Sequence, residues 1–313
     1  MSKIQVARPL STALVIGASG FWGSWLTHSL ESMGVKVTGL SRTEHQGVGG
    51  LRAPSRIVRA DVQDANLESA LAQQDAVFYL AGRASVPASV SDPLGDLDAN
   101  VRSVVRVLAE IAKSSSPMPF IYASSAAVYG TSQTSPMSES HPLGPISPYG
   151  VSKLSAEAYV RLYATQYGVP SASVRPFSIY GPGQEKQVVF DLSRRILRGD
   201  VPLHLLGSPD VSRDFIYVSD AASAIVMVAK NAPLVGEAYN IASGDETTLG
   251  WLARELLRIS NSDGTPSFSG SVRSGDPEHW RADIRAIRAL GFEPKVALPE
   301  GLAATYRWVS SSS

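Results

Sequence analysis

The chain has no cysteine among its 313 residues, which excludes disulfides, thiol nucleophiles and cysteine-ligated metals. Histidine is scarce as well. His28, His45, His141, His204 and His279 show no paired ligand spacing, so no metal is expected. Excess charge is also lacking: 28 basic residues balance 28 acidic ones, and nothing in that balance recruits nucleic acid or another polyanion. No apolar run is long enough to cross a bilayer, and the N-terminus lacks a charged segment leading into a signal-like apolar core. No membrane partner and a soluble, cytoplasmic chain are the expectation. Internal repeats are not evident, and only the tail Ser310–Ser313 is low in complexity. With 44% hydrophobic and 18% charged residues, there is apolar material for a core, in one large domain or two modest ones.

What is present begins with glycine. Ala13 to Ile16 has the length and β-branched content of a buried strand, and Gly17, Gly20 and Gly23 follow at three-residue spacing. An apolar helical pattern starts at Phe21, and a second strand is expected over Val35–Leu40. Glycines between strand and helix permit a tight turn and a close backbone approach to a diphosphate at a helix N-terminus. The pattern therefore predicts a dinucleotide site. At the end of the second strand, where an NAD-binding fold of this type places a carboxylate for the adenosine ribose, stand Ser41 and Arg42. A hydroxyl and a guanidinium suit a ribose 2′-phosphate. NADP(H) is the expected cofactor, with NAD(H) as the alternative.

Further strands are expected at Ile57–Ala60, Ala76–Leu80 and Phe120–Ser124, with helices at Leu67–Leu71 and Asp92–Lys113 between them. Asp61, after the third strand, is placed to meet the adenine edge, and the small pair Ala81-Gly82 lets the chain pass beside a cofactor. Alternation at this spacing predicts an α/β fold of the Rossmann kind, a doubly wound parallel sheet with helices on both faces. Ligands of such sheets lie beyond the carboxyl ends of the strands. Ser125 stands there, and Ser147-Pro148 opens a helix that sets Tyr149 and Lys153 four apart on one face. A tyrosine titrates near ~10, each unit of lowering needing ~1.4 kcal/mol. The Lys153 ammonium, together with an oxidised nicotinamide, is expected to lower the Tyr149 phenol by several units and make it a general acid/base. Ser125 would hold a substrate oxygen in line with it.

With these residues the chain resembles the extended short-chain dehydrogenase/reductase family, in its nucleotide-sugar epimerase/dehydratase branch. The likeness runs nearly the full length. It rests on Gly17–Gly23, Asp61-Val62, Leu80-Ala81-Gly82, Asn100, Ser125 with Val128-Tyr129-Gly130, and Tyr149 with Lys153. It continues through Arg175–Gly183, Arg213–Val218 with Asp220, and Tyr239-Asn240-Ile241. The resemblance implies a catalytic set of Ser125, Tyr149 and Lys153. It implies cofactor contacts from Gly17, Ser19, Gly20, Phe21, Trp22, Gly23, Ser41, Arg42, Asp61, Val62, Leu80, Ala81, Gly82, Asn100, Ser124, Tyr149, Lys153, Pro176 and Phe177, with Lys153 on the nicotinamide ribose and Phe177 at the nicotinamide end. Arg213 and Arg273 match positions that bind a substrate diphosphate, and Asp276 one that binds the nucleotide ribose.

The same likeness implies a dinucleotide domain over 1–178 plus 214–243 and a smaller C-terminal α/β substrate domain over 179–213 plus 244–313. Helices are expected there at Val188–Leu197, Leu249–Ile259, Asp283–Leu290 and Pro299–Val309, with a short strand and turn at Leu203–Gly207. Asp220 is expected to cap or brace the helix after it, and Trp22 and Trp25 to serve helix packing. A homodimer through helices matching Asp92–Lys113 and Tyr149–Tyr167 is implied too. Two departures bear on the reaction. Ala126 and Ala127 stand where dehydratases and sugar-acid decarboxylases of the branch carry acidic residues, which disfavours 4,6-dehydration. Ser178 stands where many relatives have an asparagine on the substrate diphosphate. The substrate implied is a nucleoside diphosphate sugar, with hydride transfer at carbon 4 of the hexose. Ser41-Arg42 favours an NADPH-dependent 4-ketoreductase. The intact Ser-Ala-Ala-Val-Tyr-Gly stretch favours the alternative, a 4-epimerase of the UDP-glucose type. A non-catalytic dinucleotide-binding regulator is the remaining class.

Overall fold

The computed structural model describes residues 9–43, 50–131, 134–270 and 279–312. In chain order come β1 (Thr12–Ile16), α1 (Phe21–Ser32), β2 (Lys36–Ser41), β3 (Arg56–Arg59), α2 (Leu67–Leu71) and β4 (Val77–Tyr79). Next are α3 (Val86–Ser91), α4 (Pro93–Leu97), a π-helical turn (Asp98–Arg102), α5 (Ser103–Ile111), β5 (Phe120–Ala123) and the long α6 (Pro148–Tyr167). β6 (Ser171–Pro176), β7 (Ser178–Tyr180), α7 (Gln187–Leu197), β8 (His204–Leu205), β9 (Ser212–Tyr217) and α8 (Val218–Asn231) follow. The chain closes with β10 (Val235–Ile241), β11 (Glu246–Thr248), α9 (Leu249–Ile259), β12 (Ser267–Phe268), α10 (Arg285–Arg288) and α11 (Leu298–Ser311).

Seven strands form one sheet in the order β10-β6-β5-β4-β1-β2-β3, and all its pairs are parallel. Strand side chains alternate faces, and a sheet buried on both sides therefore feeds two cores. Ala13 and Val15 of β1, with Phe78 and Ile121, pack toward α1 and α8, whereas Leu14 and Ile16, with Tyr79, Phe120 and Tyr122, pack toward α2, α5 and α6. The strand order reverses between β1 and β4, the switch point where open sheets of this kind receive ligands. The expected doubly wound fold is present. A third cluster gathers Tyr180, Val189, Leu192, Phe215, Leu252, Leu256 and Leu302 from β7, β9, α7, α9 and α11. It adjoins a three-stranded sheet, β11-β9-β7, and a two-stranded one, β12-β8.

Some expectations need correcting. The single helix expected over Asp92–Lys113 is broken into α4, the π-turn and α5, with α3 before them. Asp92 caps α4 by accepting a bond from Gly95 N at 3.0 Å, and Pro93 occupies the first turn. The wider turn carries one extra residue, which leaves Asn100 pointing inward. The helix expected over Asp283–Leu290 is the four-residue α10, because Asp283 is spent on the Arg285 backbone N–H and side chain. Asp220 is buried and braces, one of its two expected roles, but the segment it holds is the approach to α11: its carboxylate accepts from Lys295 N and Val296 N, both at 2.9 Å.

Candidate active site

The first half of the site is a backbone cradle. Gly17 leaves β1 with φ +92°, and a Cβ there would come within 2.8 Å of Ala81 N. Gly23 lies so close that a Cβ would overlap the Gly17 carbonyl oxygen. Gly20 caps α1 with no side-chain hydrogen bond, and no acidic residue occupies the first turn. The first-turn N–H groups thus face outward with the positive end of the helix dipole, an arrangement that suits a diphosphate. Ser19 shares a hydrogen bond of 2.9 Å with Thr43, just past Ser41 and Arg42. Arg42 lies 3.7 Å from the Asp61 carboxylate, and Arg106 holds the Val62 carbonyl. Leu80 N bonds Ile16 O at 2.8 Å, which keeps Leu80, Ala81 and Gly82 beside the glycine turn. Asn100 donates through Nδ2 to Arg83 O at 3.1 Å and to Asp96 at 2.9 Å. Its Oδ1 and the Ser124 hydroxyl are buried without a protein partner. Phe21 and Trp22 open α1. Cradle, open helix end and two unspent polar atoms together fit a nicotinamide dinucleotide.

The second half is Ser125, Tyr149 and Lys153, which the fold brings together as expected. Ser125 follows β5 and caps a short 3-10 turn by accepting from Ala127 N at 3.1 Å. Its hydroxyl is near enough to the Tyr149 phenol to act against the effect of burial on it. Ser147 caps α6, accepting from Gly150 N at 3.1 Å, and Tyr149 N donates to Ser89 Oγ at 3.1 Å. Lys153 is only 5% exposed. Its Nζ donates to Ala123 O at 2.9 Å and stands 5.0 Å from the Tyr122 ring centre and 5.9 Å from that of Tyr149.

Burial works against the lowering expected of Lys153 and an oxidised nicotinamide together. It raises the Tyr149 phenol above its ordinary value, opposed chiefly by the Ser125 hydroxyl. Burial likewise lowers Lys153 to about 8, with the Asp96 and Glu157 carboxylates pulling the other way. Lys153 is therefore not the main influence on Tyr149 within the chain, because desolvation outweighs a charge across the ring.

Behind these residues lies a buried polar network that the sequence reading did not assemble. Arg175 forms a two-pronged pair with Glu157, at 2.7 and 3.0 Å, and donates to the Tyr129 hydroxyl at 3.0 Å. Tyr129 in turn donates to Asn240 Oδ1 at 2.6 Å. Glu157 sits one turn beyond Lys153, yet only burial distinguishes it from an ordinary helix-surface glutamate. Asp96 left no signal in the sequence either.

Toward the third cluster, Pro176 ends β6 and Phe177 N bonds Ile241 O at 3.0 Å. The Phe177 ring meets Trp280 edge-on at 5.7 Å. Ser178 opens β7 opposite Phe215. Arg213, on β9, places its guanidinium 5.7 Å from the Trp280 ring. Arg273 and Asp276 lie outside the described residues. Trp25 does more than pack: its indole donates to Pro182 O at 2.9 Å and meets Tyr217 at 6.1 Å. Among the described residues no helix is long and apolar enough to cross a membrane.

Comparison with known proteins agrees with this geometry. The model of the NAD dependent epimerase/dehydratase family matches residues 13–242. A UDP-glucose 4-epimerase of Mycolicibacterium smegmatis is 34% identical, over 96% of this chain and 99% of its own length. A UDP-N-acetylglucosamine 4-epimerase from Methanobrevibacter ruminantium, solved with UDP-N-acetylmuramic acid, superposes with a TM-score of 0.90 at 30% identity, covering 98% of this chain and all of that one. A UDP-glucuronic acid 4-epimerase from Bacillus cereus, solved with UDP-glucuronic acid and NAD, gives 0.87 at 28% identity over 96% of this chain and 100% of its own. A dinucleotide cradle and a serine-tyrosine-lysine cluster meeting at the switch point, with likeness end to end, mean that this chain belongs to the NAD-dependent epimerase/dehydratase family of extended short-chain dehydrogenases/reductases, enzymes of nucleotide sugars.

Proposed function

We propose that the protein is a 4-epimerase of a UDP-linked hexose or hexuronate. The observation that carries this reading is the Ser125-Tyr149-Lys153 cluster beside the glycine cradle, followed by Ala126 and Ala127, which cannot transfer the proton that elimination of water requires. A nicotinamide dinucleotide held in the cradle would supply the hydride acceptor and donor for sugar carbon 4. Tyr149 Oη takes the proton of the 4-hydroxyl as that carbon is oxidised and returns it when the opposite face is reduced, so no net reductant is consumed. Ser125 holds the sugar oxygen in line with the phenol. Lys153 steadies the phenolate and meets the nicotinamide ribose.

The cradle residues Gly17, Ser19, Gly20, Phe21, Trp22 and Gly23 take the diphosphate. Asp61, Val62, Leu80, Ala81, Gly82, Asn100 and Ser124 line the adenosine-to-nicotinamide path, with Pro176 and Phe177 at its far end. NAD is the resident cofactor in this reading, in place of the NADP that Ser41 and Arg42 suggest. Arg42 faces Asp61 at 3.7 Å, and a 2′-phosphate would bring two further negative charges to that carboxylate. The relative from Bacillus cereus holds NAD together with a UDP sugar. That pairing moves the balance from the ketoreductase to the epimerase.

The cofactor belongs to 1–178 with 214–243 and the nucleotide sugar to 179–213 with 244–313, gripped by Ser178 and Arg213 and, by resemblance, Arg273 and Asp276. The chain pairs with a second copy through α3, α4 and α6, where Val90, Leu94, Leu97, Val151, Tyr159 and Leu162 are exposed. Incubating the purified protein with UDP-glucose, UDP-N-acetylglucosamine and UDP-glucuronate tests the reaction. The expected result is the 4-epimer of one of them without NADH or NADPH consumption. Tyr149→Phe should cut turnover by at least ~100-fold with the bound nucleotide retained. Stoichiometric NADPH oxidation by a 4-keto sugar, with no isomer formed, would overturn this reading.

A further inference from the structure

Asp96 is an oddly placed acid. It lies in α4, fully buried. One oxygen accepts from Asn100 Nδ2 at 2.9 Å and the other has no partner. The neighbouring Arg83 is committed to Asp92 at 2.5 Å. A buried carboxylate is strongly disfavoured unless an opposite charge shares its low-dielectric surroundings. The cation that does so is Lys153, whose ammonium feels Asp96 more than any other charge.

Asn100 stands between the two. Its Nδ2 is used by Asp96 and by Arg83 O, so its Oδ1 is turned the other way and occupies the space a Gly82 Cβ would need. Lys153 Nζ lies 3.7 Å from the point a Gly82 Cβ would take. The Asp96-Asn100 pair and the Lys153 ammonium therefore come together beside Gly82.

We infer that Asp96 is a positioning residue for the reaction, which fixes the Asn100 carboxamide toward the cofactor cradle and keeps a proton on Lys153 while Tyr149 Oη gives and takes one. The inference rests on the proposed reaction only for the identity of the substrate. The groups facing this pair are few. Tyr122 of β5 lies under the ammonium, and Glu157 of α6 is tied to Arg175. On the π-turn, Asp98 pairs with Arg102 at the surface. Of the two carboxylates that act on Lys153, Asp96 is the stronger, and Glu157 is already neutralised by Arg175.

The test is Asp96→Asn, which keeps an oxygen for Asn100 and removes the charge. Tyrosinate absorbance is titrated in the cofactor-bound protein, with Tyr149 isolated by subtracting the curve of Tyr149→Phe in the same background. Asp96 disfavours the phenolate and favours the ammonium. Its neutralisation should therefore move the Tyr149 titration to lower pH by about half a unit or more. Both limbs of the kcat profile should follow, while KM for the sugar nucleotide changes less than about twofold. Asp96→Thr, smaller and neutral, should give the same shift. Coincident Tyr149 titrations in the parent and either variant would overturn the inference. So would failure of both variants to fold, which would make Asp96 a structural support. A parent protein that epimerises nothing would sink the proposed reaction and still leave the absorbance titration readable.

Discussion

At Gly23 one hydrogen atom separates α1 from the turn beneath it. A methyl group there would overlap the Gly17 carbonyl and come 3.0 Å from Ala18 Cα, and backbone cannot step aside as a side chain can. Gly23→Ala should therefore lower stability by ~2–4 kcal/mol, read by urea denaturation, and the purified protein should carry less bound nucleotide. The glycine turn, Ser125, Tyr149 and Lys153 were legible because each depends on local spacing in the sequence. The acidity of Tyr149 was not. Its sign is set by burial, which no spacing reveals, and burial raises the phenol. Asp96 and Glu157 were hidden for the same reason, since an acid four residues from an amide or an amine is ordinary on an exposed helix. Ser41-Arg42 was read without Asp61, which only the adjacent strand brings to 3.7 Å.

The element that aims the chemistry is α6. Ser147 caps it, Pro148 fits its first turn, and Gly168 ends it in the left-handed region with φ +68°. Ser147→Ala should cost about 1 kcal/mol in urea denaturation. The bond from Tyr149 N to Ser89 Oγ should hold the phenol in place, so the loss of turnover should be small. These caps are visible in the sequence, and the start of α6 was expected where it occurs. The π-turn at Asp98–Arg102 was not, because widening a helix by one residue leaves its apolar stripe almost unchanged. Nor does the sequence reveal that β6 and β7 belong to different sheets. Phe177 is the only residue between them, and apart from Pro176 the run from Ser171 to Tyr180 carries no turn residue to mark the change of sheet, although the domain boundary was expected at 178/179.

For the whole molecule, alternation of strands and helices announced a parallel sheet, but only the register establishes the order across it. Among the described residues, α3, α4 and α6 carry several exposed apolar side chains. Leu94 is 75% and Val90 63% exposed, as the proposed pairing requires, since contiguous exposed apolar patches accompany association surfaces. Light scattering should find the protein at twice its chain mass of 33.2 kDa, and Leu94→Lys with Leu162→Lys should halve it. A parent protein already at chain mass would exclude the pairing.

One contact also bears on how the two ends of the cleft move. The Trp25 indole ties the second turn of α1 to the Pro182 carbonyl, just beyond β7. Any swing that draws loop 181–183 away from that helix must break this tether. An opening of the cleft that kept this tether intact would have to pivot on other segments, and α1 and loop 181–183 would move as one wall.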